Sequence, residues 1–152
     1  MNAAAPAVHP LVARLFEVHG FARLTEDAEL DAFARRAGRT VLFFSEEPAR
    51  LKETLDLAVI LPEVVRANEP VHNVAVLMPA LANRRAATYG VRRWPALAFL
   101  RDGGFLGTIE GLREWAAYVE LSRELLAGPV RELPPKVIPV AAAAAACGQE
   151  RP

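Results

Sequence analysis

A single cysteine, Cys147, leaves this chain unable to form an internal disulfide, a Cys-x-x-Cys redox pair or a multi-cysteine metal site. Charge of one sign is missing as well, since 18 Lys and Arg balance 18 Asp and Glu. No global field therefore gathers nucleic acid or an anionic membrane, and any electrostatic recognition must be local. No apolar run approaches the roughly 18 residues that a membrane span needs. The opening MNAAAPAVHPLVARLFEVHG lacks a basic segment followed by a sustained apolar one. The expectation is a cytoplasmic protein that neither inserts into membrane nor binds nucleic acid. His9, His19 and His72 show neither His-x3-His spacing nor carboxylate pairing, so no metal site is expected.

What is present is enough apolar material for one core: 53% of 152 residues are hydrophobic. Leu11, Leu15, Phe16 and Val18 recur near helical spacing ahead of Gly20, predicting a helix from about His9 to His19 and then a short strand from Phe21 to Leu24. Thr25 is placed as an N-cap before an apolar stripe of Leu30, Phe33 and Ala34. The run Val41-Leu42-Phe43-Phe44 reads as a strand buried on both faces. It breaks at Ser45 into a polar, acidic loop to Asp56 that contains Glu46, Glu47 and Glu53 and has room for one helical turn. A helix from Leu57 to Ala67 carries Pro62 inside it, where a proline removes one backbone hydrogen bond. A strand over His72 to Met78 and a helix from Ala80 to Tyr89 follow.

Beyond Trp94-Pro95 the pattern predicts a strand, a tight Asp102-Gly103-Gly104 turn, a second strand from Phe105 to Ile109 and a closing helix from Leu112 to Leu126. Residues 1–127 are thus expected to form a single domain. Residues 128–152, rich in proline and alanine and holding Cys147, are expected to be an extended or mobile tail.

The alternation of strands and helices, the proline at the start of the penultimate strand and the glycine-containing hairpin resemble a thioredoxin-like fold, an α/β architecture with a central mixed β-sheet flanked by α-helices. Gly90-Val91 followed by Trp94-Pro95-Ala96-Leu97 matches the place where thioredoxins carry a cis-proline. More narrowly, Val41 to Phe44 running into Ser45-Glu46-Glu47-Pro48, then Leu61-Pro62-Glu63-Val64-Val65, then Tyr89 to Leu97 resemble the hydrogenase expression and formation proteins of the HyaE/HupG/HoxO family. That resemblance implies a non-enzymatic maturation chaperone of an uptake [NiFe] hydrogenase, without a cofactor. Its implied partner is the small-subunit precursor or its twin-arginine signal peptide, with other hydrogenase accessory proteins as further partners.

A physical reading stands beside it. Thioredoxin folds pair a substrate backbone with the residue before the cis-proline, while side chains meet the loop after the central strand. Arg93, Trp94 and Pro95 are thereby expected to lie opposite Ser45, Glu46 and Glu47, with Glu53 and Asp56 adding negative charge. Two guanidinium groups and a following apolar segment call for carboxylates and an apolar groove. The same acidic residues also fit an ordinary solvated surface, Trp94 and Trp115 fit core positions, and the pairs Arg35-Arg36, Arg84-Arg85 and Arg92-Arg93 fit surface charge. Two other functions are compatible with the chain: a thiol oxidoreductase using Cys147, whose activity Cys147→Ala would abolish, and a structural subunit of a larger complex.

Overall fold

The computed structural model describes residues 8–135. Its elements, in chain order, are α1 (Pro10–Glu17), β1 (Ala22–Leu24), α2 (Asp27–Ala34), β2 (Arg39–Phe44), α3 (Glu53–Ala67), β3 (Asn73–Leu77), α4 (Pro79–Arg85) with a 3-10 turn (Ala86–Tyr89), β4 (Ala96–Arg101), β5 (Gly104–Glu110) and α5 (Trp115–Ala127). One five-stranded sheet has the order β1-β3-β2-β4-β5. β1, β3 and β2 run parallel, and β4 and β5 are antiparallel additions at one side. This is the expected mixed sheet flanked by helices.

The unbroken apolar run at 41–44 has a simple cause. Successive strand side chains point to opposite faces, and here both faces are covered. Val41 and Phe43 join Leu15, Leu57, Leu61 and Tyr118 beneath α1, α3 and α5, whereas Leu42 and Phe44 join Leu30, Phe33, Leu81 and Tyr89 on the α2 and α4 side. β4 repeats the division, with Leu97 and Phe99 in the first layer and Ala98 and Leu100 in the second. Each of the buried Val, Leu and Phe side chains contributes about 1.5–3 kcal/mol relative to exposure.

Local chemistry sets the ends of the elements. Asp102 and Gly103, at φ of 51° and 84°, form the two-residue turn between the paired Arg101 and Gly104. Asp102 Oδ1 accepts from Gly38 N at 2.7 Å, which ties the hairpin to the start of β2. A bulge in β5 follows from the pairing of Phe99 with Gly107 but of Leu100 with Phe105, and Gly107 takes φ 142° there.

Several boundaries differ from the sequence reading, those of the helices most. Helix α2 is capped at Glu26, not Thr25, because one Glu29 oxygen accepts from both Thr25 N and Glu26 N at 3.0 Å. Helix α3 begins at Glu53, its acidic first turn suiting the positive end of the helix dipole, so Glu53 and Asp56 are helical rather than in the loop. The helix read over Ala80 to Tyr89 narrows into the 3-10 turn at Ala86, and α5 starts at Trp115, three residues after Leu112. Residues 129–135 are extended and lie against the sheet edge, where Arg131 N donates to Phe105 O at 2.6 Å. The remainder of the expected tail, with Cys147, lies outside the described residues.

Candidate functional site

The parallel and antiparallel registers meet at one end of the sheet. Phe44 is level with Leu77 on β3 and with Ala96 on β4, so Ser45, Met78 and Pro95, each one step beyond, converge at that end. Glu110 at the end of β5 is paired with Ala96 and completes the row. The Trp94–Pro95 peptide bond is cis, and Pro95 O accepts from Gly111 N at 2.9 Å, which links the proline loop to the segment after β5.

Ser45, Glu46, Glu47 and Pro48 follow directly on β2 at this end of the sheet. Ser45 is buried, and its hydroxyl donates to Leu77 O at 2.7 Å. That hydroxyl anchors the loop to β3 and is not free for a ligand. Glu46 is half-buried; its carboxylate accepts from Glu47 N at 2.9 Å and from Asn83 Nδ2 at 3.5 Å, while its own N donates to Thr54 Oγ1 at 3.3 Å. Glu47 is exposed, and its carbonyl accepts from Arg50 N and Leu51 N at 2.8 and 2.9 Å, closing a turn before α3. These contacts hold the Glu46 carboxylate in place before any partner arrives, while the Glu47 carboxylate stands in solvent.

Beside this loop lies an open apolar cleft of about 400 Å³. Val8, His9 and Val12 from the start of α1 form one wall, Met78, Pro79 and Ala80 another, and Glu46, Glu47 and Pro48 the rim, with Arg23 at the edge. The cleft is therefore on the β1 and β3 side of the acidic loop, not between that loop and Trp94. His9 shapes it indirectly, since its Nδ1 accepts from Leu11 N at 3.1 Å and caps α1.

The residues read from the sequence thus fall into three places. Glu46 and Glu47 rim the cleft with Ser45 beneath them. Glu53 and Asp56 stand exposed on the first turn of α3 and do not line it. Across the cis-proline, Arg93 lines a separate polar hollow with Arg92, Glu110 and Arg113, while Trp94 is half-buried against the layer that holds Phe44, Leu81 and Tyr89. The indole Nε1 of Trp94 is buried without a hydrogen-bond partner among the described residues. Pro95 itself is buried. Sequence reasoning missed Val12, Met78 and Pro79 as cleft walls, although Met78-Pro79 directly after a buried strand was a signal that the chain turns at the same end as Ser45.

Ionic contacts elsewhere are structural. Arg84 and Arg85 on α4 pair with Asp27 and Asp31 on α2 at 2.8–3.2 Å. The hydrogen bond from Arg85 is the chief reason that the Asp27 carboxyl is held below its usual range. Among the described residues no group of His, Cys, Asp and Glu could hold a metal ion, and no helix is long and apolar enough to cross a membrane.

Residues 11–118 match the family model described as hydrogenase-1 expression protein HyaE. The chain is 38% identical over 145 residues to the hydrogenase expression/formation protein HoxO of Cupriavidus necator, covering 91% of this chain and 87% of that one. It is 39% identical over 119 residues to the hydrogenase expression/formation protein HupG of Rhodobacter capsulatus, covering 78% and 86%. A mutant thioredoxin from Halobacterium salinarum superposes with a TM-score of 0.53 at 19% identity, over 66% of this chain and 85% of that one, a likeness of fold.

Proposed function

The chain belongs to the family of the hydrogenase-1 expression protein HyaE, and on that premise we propose that it acts in hydrogenase maturation as a non-enzymatic chaperone. Its client is the small-subunit precursor of an uptake [NiFe] hydrogenase, held in the cytoplasm through its twin-arginine signal peptide before assembly and export. The observation that carries this reading is the apolar cleft rimmed by Glu46 and Glu47 in the loop that follows β2. A signal peptide of this class offers two guanidinium groups followed by an apolar segment. The rim carboxylates suit the first through charge-assisted hydrogen bonds, and the walls formed by Val8, Val12, Met78 and Pro79 suit the second.

Covalent chemistry has no support at this position, because Ser45-Glu46-Glu47-Pro48 supplies no thiol and the Ser45 hydroxyl is committed to a backbone carbonyl. What remains is recognition by shape and charge. The cleft holds only a few side chains, so the affinity expected of it is modest and the complex reversible, as holding and then releasing a precursor requires.

Titrating the full chain with the hydrogenase small-subunit precursor, with and without its signal peptide, by isothermal calorimetry tests the proposal. Binding of the intact precursor, weakened at least tenfold by removal of the signal peptide, is the expected result. Equal affinity for an unrelated export precursor with the same arginine pair would remove the specificity that the reading requires, and no binding of either form would end it.

A further inference from the structure

We propose that the β4 and β5 side of the same sheet end forms a second subsite, which takes acidic side chains of the bound polypeptide. Its floor is the polar hollow of about 470 Å³ lined by Arg92, Arg93, Glu110 and Arg113. The Glu110 carboxylate is occupied by the chain itself, accepting through Oε1 from Arg92 N at 2.7 Å and Arg93 N at 3.2 Å. Arg113 is held at the wall by its Nε, which donates to Glu110 O at 3.1 Å. Among the described residues none of these three exposed arginines forms an ion pair within 4.0 Å. Three guanidinium groups therefore share one concavity with a single carboxylate.

The contrast with the other adjacent pair is informative. Arg84 and Arg85 are consumed by Asp27 and Asp31 and serve the fold. Among the described residues Arg92, Arg93 and Arg113 pair with no carboxylate in this way, and the one side-chain bond of Arg113 is to a backbone carbonyl. Beside them, Leu112 and Trp115 are 41% and 47% exposed. Arginine and tryptophan are the residue types that carry much of the energy in protein interfaces, and guanidinium groups bind carboxylates in a two-pronged fashion. An acidic peptide with an apolar neighbour is the partner this surface fits. A nucleic acid is disfavoured by the zero net charge of the chain.

The order of the strands gives the order of the subsites. The apolar cleft lies by β1 and β3, the Glu46 and Glu47 rim follows β2, and the arginine hollow follows β5. Strands are about 4.8 Å apart, so two spacings from β2 to β5 make about 10 Å, or about three residues of extended chain. This step rests on the reading above: if the basic pair sits at the rim and the apolar segment follows it into the cleft, the acidic residues precede the basic pair by about three positions.

Fluorescence anisotropy with the full chain at 50 mM salt and three labelled synthetic peptides tests the subsite. One peptide has Glu-Glu, a two-residue neutral spacer, Arg-Arg and a ten-residue apolar segment; the second has Gln-Gln for Glu-Glu; the third keeps Glu-Glu but has Gln-Gln for Arg-Arg. Changing Glu-Glu to Gln-Gln is expected to weaken binding about fivefold to tenfold. In the double variant Arg92→Gln with Arg113→Gln, whose thermal midpoint should be unchanged, the first two peptides should bind alike within twofold. An equal loss in both proteins, or no loss in either, overturns the subsite. If the second peptide still depends on Glu46 and Glu47 in that case, the precursor reading stands without it. If the first and third peptides bind alike, both through Arg92 and Arg113, the subsite holds and the twin-arginine reading fails. Suppression of the Glu-to-Gln difference by 10 mM inorganic phosphate, at matched ionic strength, would mark a site for small anions and overturn the proposal.

Discussion

Neutralising the cleft rim is the sharpest perturbation of the proposed site. In the double variant Glu46→Gln with Glu47→Gln the side-chain volumes and one acceptor oxygen per residue are kept, so the hydrogen bond from Glu47 N to the residue 46 side chain survives. Charge is removed, together with the second acceptor oxygen that takes the 3.5 Å contact from Asn83 Nδ2. Two unit charges 4 Å apart attract with about 4 kcal/mol at an effective dielectric constant of 20, but measured exposed pairs are worth about 0.2–1 kcal/mol because solvent screens them and ordering them costs entropy. Glu46 is half-buried and held by Glu47 N and Asn83, so it belongs near the upper figure; Glu47 is exposed and belongs near the lower. Together they predict a loss of about 1–1.5 kcal/mol, a fivefold to tenfold rise in Kd at low salt. Calorimetric titration with the small-subunit precursor from 50 to 500 mM salt reads both the loss and its screening. The gap between the two proteins should close as salt rises, because the Debye length falls from about 14 Å to about 4 Å over that range. A Kd within twofold of the parent at 50 mM salt, or parallel salt dependences, would refute the assignment of the arginines to this rim.

Three further outcomes follow from other parts of the molecule. Ala80→Phe places a ring in the cleft from an exposed position near the start of α4, and is expected to weaken precursor binding more than tenfold while the thermal midpoint moves by less than about 2 °C; circular dichroism with the same titration checks both. Gly107→Ala should destabilise by about 1–3 kcal/mol in urea unfolding, because φ 142° is glycine territory and the new Cβ would lie 2.7 Å from Leu125 Cδ2. Glu29 has its carboxyl lowered chiefly by the backbone N–H of Thr25 and then of Glu26. A lowered folded value means stability that is complete above the unfolded value near 4.3 and is lost as pH falls through the folded one, so urea midpoints measured at pH 5 and pH 3 should differ less in Glu29→Gln than in the parent.

Much of the fold was readable because its causes are local. A four-residue apolar run at 41–44 can be satisfied only by a strand covered on both faces, and Asp102-Gly103 accepts the positive φ that its hairpin turn requires. The acidic first turn of α3 is a local signal too, since Glu53 and Asp56 suit the positive end of the helix dipole. The site was readable only in part. Ser45 to Pro48 could be placed after the central strand, but which side of that loop opens into a cleft depends on where α1 packs. That is settled by contacts between Val12 or Leu15 and residues of α3 and the sheet far along the chain. Trp94 shows the same limit: adjacency to Pro95 placed it at the right end of the sheet, while its packing against the layer on the α2 and α4 side is a tertiary choice between two apolar layers. Arg113 could not be joined to Arg92 and Arg93 without the pairing of β4 with β5.

Whether the precursor is held in the cleft beside Glu46 and Glu47 can be read by site-specific photo-crosslinking. A photoreactive side chain at Met78 lines the cleft, and one at Val59, 57% exposed on α3 in a different groove, serves as the control. Irradiation with the small-subunit precursor should join Met78 to the signal peptide, with the attached residues lying in its apolar segment as read by mass spectrometry, and Val59 should give little product. Crosslinks of equal yield from the two positions, or products from Met78 that map only to the mature subunit, would place the signal peptide elsewhere and contradict the proposed role of the cleft.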